Sequence, residues 1–177
     1  DAERDRLLEA YRSIRDRQLG VRIETEEIVP EGGAAIGRRE RIASRRLGTR
    51  ESEIQTALRD VTDEFTEVQD SLVFSMTHRR VDRWVEGIRE RLRDGDPSRD
   101  VVEDQIMVID AITGLIEALE DSQPPEDPFG QEQAGGGGAG GGGEQAGGPQ
   151  SLIPPIAELK MLRSMQRQIL EATRRID

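Results

Sequence analysis

Cysteine is absent from this chain, which excludes disulfides, thiolate nucleophiles and cysteine-based zinc sites. Histidine occurs once, at His78. A single histidine rules out the His-Glu-x-x-His metalloprotease motif and gives a Ser-His-Asp triad no support. A ferritin-like dinuclear site needs Glu-x-x-His on two helices, and the residue three before His78 is Ser75. Aromatic residues make up 3% of the chain, with Tyr11 and Trp84 the sole tyrosine and tryptophan. That is too few for an aromatic core or for a platform on which bases or sugars stack. No apolar run approaches the roughly 18 residues of a membrane-spanning helix. Positive charge is also in short supply, with 25 Lys and Arg against 36 Asp and Glu, a net charge of −11. An acidic surface repels phosphates, so generic nucleic-acid binding, anionic membranes and acidic substrates are all disfavoured.

What remains is a mixture of charge and sparse aliphatics. Hydrophobic and charged residues each account for 34% of the 177 residues. The length suits one domain plus a tail. The composition suits helices that bury a narrow seam and solvate wide faces. The first residue is Asp1, and removal of a signal peptide, or trimming, is the expectation for a chain that starts without methionine.

Hydrophobic spacing locates the helices. From Asp1 to about Ile28, the positions Leu7, Tyr11, Ile14, Gln18, Val21, Thr25 and Ile28 recur at alternating four- and three-residue steps. This is a heptad seam with two polar interruptions. Pro30, Gly32, Gly33 and Gly37 then break the helix. A second seam runs through Leu47, Glu51, Ile54, Leu58, Val61, Phe65, Val68 and Leu72, and apolar residues continue through Val81, Trp84, Val85, Ile88 and Leu92. Asp70-Ser71 could cap a new start. The seam crosses it in register, however, so one long helix over residues 47–93 is expected. Gly95 suits the left-handed position after a helix end, Asp96 a cap and Pro97 a first helical position. The next helix reaches about Asp121, with Val102, Ile106, Ile109, Ile112, Thr113, Ile116 and Leu119 on one face and Val101, Val108 and Leu115 broadening it. A tight turn makes it an antiparallel hairpin partner of the residues before Asp94.

After Asp121 the sequence changes character. Ser122 to Gly130 is rich in proline, and from Ala134 to Gly148 there is almost nothing but glycine. Such a segment buries no side chain and would lose much backbone entropy on folding, so residues 122–150 are expected to form a disordered tether with a reach of roughly 30 Å. It lacks the Gly-Lys-Ser/Thr ending of a phosphate loop. Pro154-Pro155 opens a last amphipathic helix within residues 151–177. Its seam is Leu159, Leu162, Gln166, Ile169, Thr173 and Ile176, flanked by Ile156, Met161, Met165 and Leu170. The wide apolar face of residues 101–119 is its expected bed within the chain.

Candidate chemistry is thin. His78 lies among Thr77, Arg79 and Arg80 and reads as a surface or seam-edge residue. The carboxylates at Glu24, Glu26 and Glu27 and at Asp60, Asp63, Glu64 and Glu67 could serve acid–base chemistry or hold a cation, but read as solvated helix faces carrying Arg–Glu pairs. Arg38, Arg39, Arg41, Arg45, Arg46 and Arg50 form one basic cluster, which could contact phosphate or an acidic partner. Met161 and Met165 suit core filling or an adaptable binding face.

Residues 152–169, with Pro124-Pro-Glu-Asp and Gln105 to Leu119 upstream, resemble a group of exported helical proteins of planctomycete-type bacteria. In that group a Pro-Pro-x-Ala-Glu-Leu-Lys-x-Leu-Arg motif follows a low-complexity linker. The match falls on Pro154, Pro155, Ala157, Glu158, Leu159, Lys160, Leu162 and Arg163. The group has no assigned activity, so the resemblance implies an extracytoplasmic, periplasmic helical protein and no catalytic residues.

The expected fold is therefore all-α: an elongated antiparallel helical bundle or coiled coil over residues 1–121, the linker 122–150, and the C-terminal helix 151–177. The expected function is a non-enzymatic structural or protein-interaction module of the bacterial envelope, without cofactor or metal. Its partner is another protein or a second copy rather than nucleic acid. The docking residues are Ile156, Leu159, Lys160, Leu162, Arg163, Met165 and Ile169. The alternatives are a small-ligand carrier or enzyme built in the bundle core around Gln18, Thr25, Gln166 and Thr173, and nucleic-acid contact through the arginines of residues 38–50.

Overall fold

A computed structural model describes residues 2–33, 35–121 and 152–174. The expected linker 122–150 lies outside the described residues. Among the described residues every regular element is helical. They are α1 (Ala2–Ile28), a short 3-10 turn (Glu31–Gly33), α2 (Arg38–Glu64), α3 (Thr66–Asp70), α4 (Leu72–Asp94), α5 (Arg99–Glu120) and α6 (Pro155–Arg174). No described helix is long and apolar enough to cross a membrane.

Four helices close a ring in the order α1, α2, α4, α5 and back to α1. Neighbours run antiparallel: Arg6 meets Glu64 and Glu24 meets Arg50 across α1 and α2, while Ser44 meets Leu92 and Thr62 meets His78 across α2 and α4. The seam read from α1 is the face it buries, with Leu7, Tyr11, Ile14, Gln18, Val21 and Thr25 all inside. The ring encloses one core built from Leu7, Ile54, Phe74, Ile88, Ile112 and Leu115, among others. Close approach of α2 and α4 depends on small residues. A Cβ on Gly48 would lie 3.1 Å from the Arg93 nitrogen and 3.2 Å from the Arg89 carbonyl oxygen, and the Ser44 hydroxyl donates to the Leu92 carbonyl at 2.7 Å.

The single helix expected over 47–93 is not formed. The chain leaves helical geometry at Phe65 (φ −111°, ψ 96°) and again at Ser71 (φ −71°, ψ 116°), with the short α3 between them. Phe65 and Val68 are buried, so the corner itself fills the core. Gln69 donates to the Thr62 carbonyl near the end of α2, and Ser71 caps α4 by accepting from the Phe74 nitrogen. Folding back lets the seams of α2 and α4 bury each other, which a straight helix cannot do. The register records the break. Continuing the Leu47 seam past Leu72 gives Ser75, Arg79, Asp82, Glu86 and Arg89, all polar, whereas α4 buries Phe74, His78, Val81, Val85, Ile88 and Leu92, one residue earlier.

The turn between α4 and α5 follows the sequence at Gly95, which takes φ 80°. Its N–H donates to Leu92 and that of Asp96 to Arg91, the paired bonds that satisfy a helix end through a left-handed residue. The start of α5 differs from expectation: Ser98, not Asp96, stands at its N-cap, and Pro97 lies outside the helix. The wide face expected of α5 is the one it buries: Val101, Val102, Val108, Ile112, Leu115, Ile116 and Leu119 all lie inside, and Gln105 joins them. Ile106, expected on that face, is exposed.

Candidate functional site

Two layers of buried polar side chains cross the bundle, each bridging a diagonal of the ring. In the first, the Tyr11 hydroxyl of α1 lies 2.8 Å from Nε2 of His78 on α4. The other ring nitrogen, Nδ1, lies 3.1 Å from the Thr62 hydroxyl of α2, which in turn donates to the Leu58 carbonyl. Because the Thr62 proton is committed to Leu58, Thr62 accepts from Nδ1–H, and Nε2 accepts from Tyr11. The imidazole is therefore neutral and both nitrogens are satisfied. Burial holds His78 in that state, taking its pKa from 6.5 to about 4, with the Asp82 carboxylate opposing weakly. Burial also raises the Tyr11 pKa, so its hydroxyl stays a donor. His78 is 6% exposed. The expectation of a surface or seam-edge residue is thus corrected: Arg79 faces solvent and Arg80 lies half-buried over the Trp84 ring, while His78 faces Tyr11 in the core.

The second layer joins α1, α2 and α5. Gln18 and Gln105 both donate from Nε2 to Oε1 of Glu51, each at 2.8 Å. Gln105 Nε2 also lies 3.2 Å from the Thr25 hydroxyl, which donates to the Val21 carbonyl. All four side chains are fully buried. Burial outweighs the two amide bonds and nearby Arg50, and pushes the Glu51 pKa from 4.5 up to about 7. Oε2 of Glu51 and Oε1 of both glutamines have no hydrogen-bond partner. These are three acceptors without a donor, and a proton on Glu51 Oε2 would supply one. Sequence reasoning included Gln18, Thr25 and Glu51 in seams, but left Gln105 out and put His78 at the surface or a seam edge rather than inside. Each sits on a four-three seam of its helix, which is the signal that would have found it.

Thr62 and His78 of the first layer also border a surface groove of about 660 Å³ between α2 and α4. Leu58 and Met76 line it with Arg59, Asp63, Arg79, Asp82 and Arg83. Among the described residues no group of histidines and carboxylates is placed to hold a metal ion. The arginines of residues 38–50 start α2. Arg50 pairs with Glu24 at 2.5 Å, whereas Arg38, Arg39, Arg45 and Arg46 are exposed.

Helix α6 packs on α5 and α4. Leu152, Ile153, Ala157 and Met161 are buried there. The approach is closest at Gly114, where an added Cβ would lie 3.4 Å from the Met161 sulfur. Lys160 Nζ binds the C-terminal end of α5 through the Asp121 carbonyl at 2.9 Å and its carboxylate at 3.2 Å, a favourable place for a cation. Ser71 donates to Glu158. The half-buried Met165 sulfur lies 4.0 Å from the Thr77 hydroxyl.

The face that meets the bundle is therefore not the seam read from the sequence. Of the seven candidate docking residues, Ile156, Leu159 and Leu162 point outward, 51%, 65% and 45% exposed. Arg163 is exposed with them. Lys160 and Met165 touch the bundle, and the side chain of Ile169 lies outside the described residues. Comparison with protein-family models, curated proteins and solved structures finds no match for this chain.

Proposed function

We propose that this protein is a non-enzymatic structural or protein-interaction module of the bacterial envelope, and that the outward face of α6 is its working surface. The observation that carries this reading is the pair of opposed faces on α6. Ala157 and Met161 are buried against the bundle, while Ile156, Leu159 and Leu162, roughly half a turn away around the helix, stand in solvent. Scattered exposed aliphatics are ordinary, but a stripe at helical spacing is the pattern of a docking helix. The coiled-coil character of the seams, the tether before α6 and the extracytoplasmic setting implied by the family resemblance belong to the same proposal.

The test compares envelope-extract capture by the full chain and by a Leu159→Asp/Leu162→Asp variant. Both positions are exposed, so circular dichroism and the melting temperature should match. Capture, or self-association in its place, should be lost in the variant. Identical behaviour of the two chains in both assays refutes the reading.

A second reading draws on the groove between α2 and α4. Its lining of Leu58 and Met76, with three arginines (Arg59, Arg79, Arg83) against two carboxylates (Asp63, Asp82), leaves a slight basic excess that suits a small anionic amphiphile, and its volume is within the usual range of ligand pockets, about 300–1,000 Å³. The core-site version is weakened because Gln18 and Thr25 are bonded to Glu51 and Gln105. Saturable binding of a fluorescent fatty-acid analogue, lost in Arg79→Glu/Arg83→Glu, would support the groove.

A further inference from the structure

We infer that the outward face of α6 pairs with the same face of a second copy of this chain, the two helices lying parallel and in register. This rests on the interaction reading above and names its partner.

Spacing is the first support. Leu159, Leu162 and Gln166 stand at three- and four-residue steps on the exposed side of α6, and the sequence continues the steps at Ile169 and Thr173 within the same helix. A stripe that follows these positions, with Ile156 at its N-terminal edge, is the narrow seam of a two-helix coil rather than the broader face that lies on a sheet or bundle. The opposite face already holds α5 and α4, so pairing leaves the bundle intact.

Charge supplies orientation. Glu158 and Arg163 flank the seam on its two sides, five residues apart. In a parallel, in-register pair this spacing sets Glu158 of one copy against Arg163 of the partner subunit, and the symmetry gives the contact twice. An antiparallel pair instead brings like flanks together, with glutamate facing the glutamate side and arginine the arginine side. The bond from Ser71 leaves Glu158 free to take part, because a carboxylate accepts several hydrogen bonds. Gln166 fixes register: in register its amide meets the same amide of the second copy, whereas a shift buries it against leucine.

Sedimentation equilibrium of the full chain tests association, and single introduced cysteines test geometry, since the chain has none of its own. The wild type should dimerise reversibly. Leu162→Asp should weaken dimerisation by at least about tenfold, as loss of a central apolar anchor does, and Arg163→Glu should weaken it less. Leu159→Cys and Ile169→Cys should each cross-link to itself on mild oxidation, because each position meets its own copy only in a parallel pair. A monomer at every concentration overturns the inference. So does a dimer indifferent to Leu162→Asp, or cross-linking that appears only when the Leu159→Cys and Ile169→Cys variants are mixed. A monomer that still captures envelope protein overturns this inference alone, while loss of neither association nor capture in Leu159→Asp/Leu162→Asp overturns the functional reading too.

Discussion

In the layer at Tyr11, Thr62 and His78 both imidazole nitrogens are bonded, whereas in the layer at Gln18, Glu51 and Gln105 three oxygens have no partner. Both layers cross the same bundle, about 10 Å apart along α1 from Tyr11 to Gln18, and both are buried. The difference is chemical. A neutral imidazole has one donor and one acceptor and closes a chain of hydrogen bonds. A carboxylate is acceptor-only and meets glutamines that bring acceptors of their own. Burial acts on both in the same way, by disfavouring charge, and therefore moves their titrations in opposite directions.

The largest expected effect breaks the first layer. His78→Ala should destabilise the fold by about 3 kcal/mol, through a cavity and the loss of partners for Tyr11 and Thr62, read as a lower urea midpoint at neutral pH. An unchanged midpoint would mean that His78 is not packed as described.

Next comes pH. The folded His78 pKa, about 4, is below the ordinary 6.5, so the unfolded chain binds more protons between these values. Its contribution is complete above pH 6.5 and is lost as pH falls towards 4, by about 3 kcal/mol. Glu51 is the reverse: its folded pKa, about 7, is above 4.5, so its contribution is complete below pH 4.5 and is lost as pH rises through 7, again by about 3 kcal/mol. Between pH 4.5 and 6.5 the two slopes oppose each other. Glu51→Gln should therefore steepen the rise of stability with pH in that window and melt higher than wild type at pH 8. His78→Phe should tilt the profile the other way. Parallel profiles for wild type and Glu51→Gln would falsify the assignment of Glu51.

Smaller effects sharpen the comparison. Gly48→Ala should cost about 1–3 kcal/mol, since the added methyl meets the backbone of α4, and should leave the pH profile unchanged; a changed profile would show that α2 moves as a unit with Glu51. Tyr11→Phe should cost about 1 kcal/mol by leaving Nε2 of His78 without a donor. NMR titration of His78 in that variant should still find a depressed pKa, because burial and not the hydroxyl is its cause.

How much of this was legible in the sequence varies element by element. The α1 seam was read correctly through its two polar interruptions, because its buried positions from Leu7 to Thr25 keep one register, with Leu8 alone buried beside it. The restart at Ser71 was legible as a possible cap, but one continuous helix was preferred although the apolar positions slip by one residue after Leu72, a phase change that a continuous helix would not carry. The broad face of α5 was legible from its aliphatics, but Gln105 was not recognised as part of it and Ile106 was wrongly included. On α6 the seam itself was legible, but the assumption that a seam faces its own bundle was not safe.

Periodicity is local, since it follows from 3.6 residues per turn and the removal of apolar groups from water. It was enough to determine that the described residues form helices and that α6 carries an apolar stripe, while the missing side chain of Gly95 marked the left-handed turn; that the stripe faces outward was decided by the fold. Which seams meet is a different matter, because every heptad face is complementary to many others. Only the folded bundle decided that α2 and α4 lie side by side, that Tyr11 reaches His78, and that two glutamines converge on Glu51. A buried polar group is tolerated only where its partners arrive, and those partners come from helices far apart in the chain.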